Sequence, residues 1–589
     1  MIRGKQVQRA RGAVTPNSPS LLLDFAKGAY TASGGLYTGA SSVPGYTFTR
    51  ASGGYAETTA GDLTWFTGTR TNIAVYSQDL TNAAWSKNAG SIATSTVLGP
   101  NGINYLQQWT TTGVGNRVEL YVPGTSGISY TASVYLSAGS SSYAGLAFAS
   151  LTNAGAIFNL SGTGTVVSTT GTLVSAAIQQ VSSTLYRCSI TKITDSTTVG
   201  FSFGVSNGST YSFGVYPSGT SGTIYCGFAQ VEPSTDTRIT YPTAYIPVPA
   251  GLNVSVDTPR ITNKGYLSEE ARTNLVLQSQ AFENVAWLTY LATKIGSAPV
   301  AAPDGTLTAY ELSLGTTGGT FNSSSAVYSG YSGFTSGTNY SASIYVRAKT
   351  GTTSVRVGFT DTATSSISTT DVTVTTTWQR ISVSGAAAAT FATGNVSIRT
   401  NTAGNSANVY VWGAQLEAGA FATSYIPTTG GAATRAGDIM SYNGITPNAS
   451  LTMAVTFIPN VFVNGCRTLY WQNPATSQWS DFIGIFQNSN YFNSESASNG
   501  STIFNIGGNG PMVLNAPQKV ALSVAIGKVT LVANNAILYT QTASAIPSVN
   551  NLEIGTHRGA SGGYLNGYIK SATIYPTALT DTQLQAITT

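Results

Sequence analysis

The sequence predicts an all-β chain of tandem antiparallel β-sandwiches, two of them jelly rolls, behind an irregular N-terminal segment. Three observations predict it. First, charged residues make up only 8% of the 589, against roughly 25% in an average soluble protein. Gly (64), Tyr (32), Ser, Thr and Asn take their place, and Gly, Thr, Ser and Asn all disfavour long helices. Second, apolar residues recur at every other position, as in Tyr130, Ala132, Val134 and Leu136 and in Tyr340, Ala342, Ile344 and Val346. That is the period of a strand with one buried face. Third, a long series of motifs occurs twice in the same order.

The first 69 residues are rich in Gly, Ser and Tyr, with one apolar run at Leu21-Leu22-Leu23-Asp24-Phe25. They are too few and too irregular for an independent core. The repeat begins at Arg70-Thr71-Asn72-Ile73 and again at Arg272-Thr273-Asn274-Leu275. Ser77-Gln78 then matches Ser279-Gln280, and Trp85 matches Trp287. Ser129-Tyr130-Thr131-Ala132-Ser133 parallels Asn339-Tyr340-Ser341-Ala342-Ser343. The copies close on Ala229-Gln230-Val231-Glu232 and Ala414-Gln415-Leu416-Glu417, each followed by Tyr-Ile-Pro at 245–247 and 425–427. Jelly-roll sandwiches are therefore expected over 70–248 and 272–437, joined by a connector at 249–271.

Residues 438–589 do not repeat these motifs but are again rich in strand signals. Leu451, Met453, Val455 and Phe457 alternate, and Lys519–Ala525 and Lys528–Ala533 read as strands turning at Gly527. Asn534-Asn535 then turns into Ala536-Ile537-Leu538-Tyr539. Only the C-terminus reads as helix, with Thr580 capping 581–587 and Leu584 and Ile587 on one face.

Composition also excludes chemistry. With His557 the sole histidine, sites that need two are out, and His557 itself reads as a surface-loop residue. Cys188, Cys226 and Cys466 form no CxxC pair; Cys188 and Cys226 are expected to be buried free thiols, with a facing pair as the alternative. The net charge of +5 is concentrated in Arg3, Lys5, Arg9 and Arg11. The remainder is close to neutral, which argues against nucleic-acid binding. No apolar h-region follows the basic arm, so no secretory signal is expected, and no run is long enough to span a membrane.

Leu23-Asp24-Phe25, Phe48-Thr49-Arg50-Ala51-Ser52, Pro259-Arg260-Ile261 and Glu270-Ala271-Arg272-Thr273-Asn274-Leu275 form a series that resembles bacteriophage and gene-transfer-agent virion fibres of the head-spike or tail-fibre type. In that family the second and last elements lie a few tens of residues apart. Here the whole first repeat intervenes, so an insertion or duplication is expected. The repeats resemble carbohydrate-binding jelly rolls. The end of the chain, Leu565-Asn566-Gly567-Tyr568-Ile569 with Tyr575, Ala578 and Leu579, resembles concanavalin A-like (laminin G-like) sandwiches. The resemblance implies a non-enzymatic fibre or spike at the virion surface, made in the bacterial cytoplasm, with a tail fibre favoured over a head fibre. It implies an oligomer, a trimer, attached to tail or capsid proteins through Arg3, Lys5, Arg9 and Arg11 and contacting host surface polysaccharide. A decoration protein without receptor binding and a polysaccharide depolymerase are the alternatives.

Sugar contact needs rings flanked by hydrogen-bonding groups. Two clusters fit: Tyr328 and Tyr331, in a Gly-spaced stretch read as a loop, and Trp471 with Trp479 and Asp481. Each also fits a sandwich core or an inter-subunit contact. Trp85 and Trp287 are expected to pack in cores. Arg70 with Glu232, and Arg272 with Glu417, are expected to staple first and last strands. No cofactor is implied, and a calcium ion on either glutamate is the alternative. No carboxylate pair stands out for glycoside hydrolysis.

Overall fold

The computed structural model describes residues 19–589 except 33–34, 38–45, 51, 67–68, 101–103, 112, 114, 150–152, 209–220, 235–241, 243–244, 249–253, 258, 299, 316–325, 363–364, 388–393, 402–405, 448, 478 and 558–562. Arg3, Lys5, Arg9 and Arg11 lie outside the described residues. The described elements are antiparallel strands and one short helix, Asp581–Ile587. None of its helices is long and apolar enough to cross a membrane. The chain divides into two compact units. One comprises Gly28–Pro44 and Thr67–Thr258; the other comprises Met1–Lys27, Gly45–Phe66 and Pro259–Thr589.

The first repeat is a two-sheet sandwich. One sheet runs, in spatial order, Ser175–Gln180, Leu185–Ile193, Ser129–Ala138, Gly222–Ser234, Tyr105–Thr111, Gly90–Leu98. The other runs Thr165–Thr170, Ala154–Asn159, Tyr143–Ala149, Thr198–Val205, Arg117–Pro123, Ser86–Asn88. In the second repeat the sheets run Gln379–Ala386, Asn339–Ala348, Ala407–Ala418, Tyr310–Leu314, Ala292–Ser297 and Ser365–Val374, Thr353–Thr362, Gly394–Arg399, Ala326–Tyr331, Trp287–Tyr290. The two orders agree strand for strand. The first repeat adds two consecutive strands, one at an edge of each sheet.

The alternating residues fill the cores as the pattern requires. Ala132, Val134 and Leu136 pack with Leu146, Phe148 and Phe201; Ala342, Ile344 and Val346 pack with Val357, Phe359 and Ile398. Trp85 and Trp287 are buried in these cores, and their indole N–H groups donate to Val75 O (3.0 Å) and Gln278 O (2.7 Å). Cys188 and Cys226 are buried free thiols on strands separated by Ser129–Ala138 in one sheet.

The repeated polar residues make the same bonds in both copies. Asn72 Nδ2 donates to Ala229 O (3.2 Å) and Ile246 O (2.8 Å), while its Oδ1 accepts from Ala74 N (2.9 Å) and Val231 N (3.0 Å). Asn274 Nδ2 donates to Ala414 O (3.1 Å) and Ile426 O (2.8 Å), and its Oδ1 accepts from Val276 N and Leu416 N, both at 3.1 Å. Ser77 and Ser279 bond the hydroxyls of Tyr245 (2.5 Å) and Tyr425 (2.6 Å). Gln230 and Gln415 accept from Ile246 N and Ile426 N, each at 2.7 Å. Each asparagine thus joins three segments that strand pairing alone does not connect: the entry, the last long strand and the Tyr-Ile-Pro exit. Only a side chain with two donors and two acceptors fills this position.

In the last sandwich one sheet includes Leu21–Asp24, Gly567–Tyr575, Ser450–Pro459, Gln518–Ala525, Lys528–Ala533 and Ala536–Gln541. The other runs Tyr46–Thr49, Ile439–Tyr442, Asn551–Ile554, Cys466–Gln472, Phe482–Asn488, Tyr491–Ser498, Ser501–Pro511. Strands from the N-terminal segment are therefore built into it, among them Leu21–Asp24 in one sheet and Tyr46–Thr49 in the other. Leu21 pairs with Ile574, and Phe48 with Met440. A short apolar run with no core of its own gains one by pairing with Gly567–Tyr575, and Tyr46–Thr49 adds the edge strand of the other sheet. The helix has Thr580 as N-cap in a capping box with Gln583, and buries Leu584.

Replacing Asn72 or Asn274 by Ala removes all four bonds and leaves buried backbone groups unpaired. Each variant is expected to lose about 2–4 kcal/mol in denaturant unfolding. Asp in place of Asn274 is expected to destabilise as well, since it brings acceptors where two donors are needed. A midpoint unchanged by Asn274→Ala would contradict the clasp.

Candidate functional site

Three arginines converge in the interior of the unit that contains the second repeat and the last sandwich. Arg50, Arg260 and Arg435 have fully buried side chains, as has Asp438, and Glu269 is nearly so. Asp438 contacts all three: Arg50 Nε at 3.2 Å, Arg435 Nη1 at 3.6 Å, and Arg260 through both Nε (3.3 Å) and Nη2. Glu269 pairs with Arg260 Nη1 (2.8 Å) and Arg435 Nη2 (3.3 Å) and also accepts from Ser424 N (2.9 Å) and Oγ (2.6 Å). Gly54 is required beside them: a Cβ there would lie 2.7 Å from Arg50 Nη1 and 2.9 Å from Arg435 Cδ.

Burial opposes ionisation of Glu269, but Arg260 and Arg435 outweigh it and hold the carboxyl at about 2. Burial likewise opposes charge on Arg260, and Asp438 and Glu269 raise it above its ordinary value. Arg50, where burial dominates over Asp438, is pushed down to about 9.

Beside this cluster lies a cavity of about 210 Å³. The hairpin Gly54–Glu57/Leu63–Phe66 contributes Glu57 and Leu63, and the connector contributes Leu267 and Glu269. The second repeat adds Tyr345, Trp378, Arg380 and Ala422–Ser424, and the last sandwich adds Asn460 and Tyr568. The hairpin is held by Tyr55, whose ring packs on Trp65, Trp412 and Tyr425 at 4.8–6.0 Å and whose hydroxyl donates to Asp304 (2.8 Å). Glu57 pairs with Lys264 (2.7 Å), and its backbone N–H donates to Tyr568 OH (3.1 Å). Arg380 lies over the Tyr345 ring at 5.5 Å and donates through Nη2 to Ser343 Oγ (2.9 Å) and Thr423 O (2.7 Å). Trp378 is anchored by Nε1 donating to Ala301 O (2.9 Å). Burial pushes the Tyr345 hydroxyl up to about 12 and Tyr568 higher still, so both are neutral hydrogen-bonding groups at physiological pH.

The five proposed glycan contacts are not brought together. Tyr328 and Tyr331 lie on the strand Ala326–Tyr331 rather than in a loop, and both are half-buried. Tyr331 packs edge-on against Phe334 at 4.9 Å, and Phe334 is a core residue. Trp471 is 1% exposed and lies at a cavity of about 290 Å³ with Leu451 and Ile574; so little of it is exposed that it offers no surface for stacking. Asp481 is buried, and its Oδ1 accepts from Asn499 N (3.0 Å) and Ser498 Oγ (3.4 Å), which fix a turn. Trp479, at 47% exposed, lies on His557 (5.3 Å) and near Arg467 (5.6 Å). His557 is buried rather than at the surface, edge-on to Tyr470 at 4.5 Å.

The staple forms in one copy. Arg70 Nε meets Glu232 Oε1 at 3.2 Å, both buried. Arg272 instead pairs with Glu270, two residues before it, donates to Ala418 O, and lies over Phe421 at 4.8 Å. Glu417 accepts from Thr423 N (2.9 Å) and Oγ1 (2.5 Å), and burial raises its carboxyl above the ordinary range. Among the described residues no group of three or more His, Cys, Asp or Glu is placed to hold a metal ion.

No protein-family model matches the chain, and no curated protein does. Solved structures of β-sandwich proteins are similar over about a quarter of it. The CBM40 of a Ruminococcus gnavus IT-sialidase bound to α2,3 sialyllactose has TM-score 0.21 and 17% identity, covering 24% of this chain and 83% of that one. The Streptococcus pneumoniae NanB sialidase has TM-score 0.21 and 16% identity, covering 24% of each chain. A SAP-like pentraxin of Limulus polyphemus has TM-score 0.20 and 17% identity, covering 24% and 72%. At these scores the likeness transfers neither ligand nor activity.

The Glu269 shift has a pH consequence. Its folded value of about 2 lies below the ordinary 4.5, so the stability it contributes is complete above about 4.5 and is lost as pH falls toward 2. The difference in unfolding midpoint between the wild type and Glu269→Gln is expected to shrink over that window. A difference constant from pH 6 to 2.5 would contradict the assignment.

Proposed function

We propose that the chain is a virion-surface fibre or spike, a tail fibre ahead of a head fibre, that contacts host cell-surface glycans without cleaving them. The observation that carries the glycan reading is the cavity beside the arginine cluster. Its walls combine the rings of Tyr345, Trp378 and Tyr568 with the polar ends of Glu57, Arg380, Ser424 and Asn460. Rings that cover the apolar face of a sugar and fixed polar groups that take its hydroxyls are what carbohydrate contact requires.

The virion reading rests on the motif series. Its arginines 50 and 260 are among those buried in the ion cluster, so the series marks a framework that holds the cavity. Attachment through Arg3, Lys5, Arg9 and Arg11 and a trimeric assembly belong to the same reading. Multiple copies would let weak single sites act through avidity.

Hydrolysis is the second reading, motivated by Glu57, a half-exposed carboxylate at the cavity. The other carboxylate there, Glu269, is held ionised by two arginines and has no proton to give at neutral pH. Glycoside hydrolysis needs a protonated carboxyl, so Glu269 does not serve as its acid.

Binding of the purified chain to host surface polysaccharide is the test. Trp378→Ala is expected to weaken it by about tenfold or more, with no reducing ends released by the wild type. Release of reducing ends that Glu57→Gln abolishes would establish the hydrolase instead. Binding to virion tail or capsid without affinity for any host glycan would establish a decoration protein.

A further inference from the structure

The two repeats supply an internal comparison at the cavity. Arg187 of the first repeat and Arg380 of the second occupy equivalent places: each is paired in register with a tyrosine, Tyr135 or Tyr345. Each guanidinium lies over that ring, at 5.2 and 5.5 Å, and donates to the serine two residues earlier, Ser133 or Ser343, at 3.0 and 2.9 Å. The surroundings then diverge. Arg187 is 7% exposed, and the residue two before it is the buried Leu185. In the second repeat that residue is Trp378, and Arg380 is only half-buried and lines the cavity.

Among the described residues Arg380 makes no direct salt bridge with a carboxylate. Its bonds are to a hydroxyl and a carbonyl oxygen, both neutral. Of the neighbouring acids, Glu57 is paired with Lys264 and Glu269 with Arg260 and Arg435; Glu417 acts on Arg380 only at a distance, is bonded to Thr423, and is pushed toward its neutral form by burial. A half-buried guanidinium in no direct salt bridge, next to aromatic walls, is a ready partner for an anion.

We propose that the cavity beside Arg380 selects a sugar unit bearing an anionic group, taken up with its ring between the aromatic walls and its acidic group on the guanidinium. The proposal deepens the glycan reading above and rests on it. The cavity, about 210 Å³, is smaller than the roughly 300–1,000 Å³ typical of drug-sized ligands. It therefore suits one acidic unit of a chain rather than a buried oligosaccharide.

Titration of the intact chain with three methyl glycosides, glucuronide, glucoside and glucoside 6-phosphate, tests it. The acidic sugars are expected to bind at least about tenfold more tightly than the neutral one, with a preference that shrinks as salt is raised. Preference for the glucuronide alone identifies a carboxylate site; equal preference for the phosphate identifies a general anion site. Arg380→Gln is expected to bring acidic and neutral sugars near parity, while Arg380→Lys retains part of the preference and checks that the fold survives. Measurable binding of all three with equal affinity by the wild type would overturn the anion proposal while leaving glycan contact intact. No binding of any of the three, or of host polysaccharide, would remove both.

Discussion

Arginine stays protonated in proteins, so a chain that buries three of them must bring enough negative charge to the same place. Here Arg50, Arg260 and Arg435 come from three well-separated stretches, and the Asp438 carboxylate touches all three. Glu269 shares two of them. Removing one partner of a buried pair typically costs about 3–5 kcal/mol, even where the intact pair adds little net stability. The cluster therefore acts as a condition on assembly. The N-terminal hairpin, the connector and the end of the second repeat can take up only the arrangement that brings these five side chains together. Part of the cavity wall, Glu57, Leu63, Leu267, Glu269 and Ala422–Ser424, comes from those same segments, so its shape depends on the cluster being complete.

A second constraint is repeated. Each jelly roll closes on a buried asparagine, Asn72 or Asn274, that spends its full hydrogen-bonding capacity on backbone groups of three segments. Together with the serine–tyrosine and glutamine–isoleucine bonds, this explains why polar residues stayed recognisable between copies while most of the core changed. With the inner framework fixed, the outer face of the central sheet was free to differ. The exchange of Leu185 for Trp378 beside equivalent arginines is such a difference, and it falls where the second repeat has a cavity.

Much of the fold was legible because it depends on local pattern. Period-two alternation placed Ala132, Val134, Ala342 and Ile344 in cores, and the motif order announced two copies of one topology. The incorporation of Leu21–Asp24 and Tyr46–Thr49 into the last sandwich was not legible, since a short apolar run carries no address for its partner strand. Arg272 was assigned to Glu417 by analogy with Arg70 and Glu232. The copies differ in sequence just upstream, with Glu270 in one and Gly68 at the matching place in the other, and a carboxylate two residues away captures the arginine first. Trp471 and Asp481 looked like sugar contacts because residue type does not reveal exposure. Tyr345, Trp378, Arg380 and Tyr568 were missed because they converge only in the folded chain, although Trp378 and Arg380 two residues apart hint at a shared face.

Hydrogen exchange by segment, comparing the wild type with Asp438→Asn, reads the dependence on the ion cluster most directly. Loss of protection is expected in 54–66, 259–270 and 435–442, while the strands of the first repeat between Ser129 and Ser234 exchange as in the wild type. Unchanged protection in the first three segments would contradict the account, because three buried arginines would then be held without the carboxylate that touches them all.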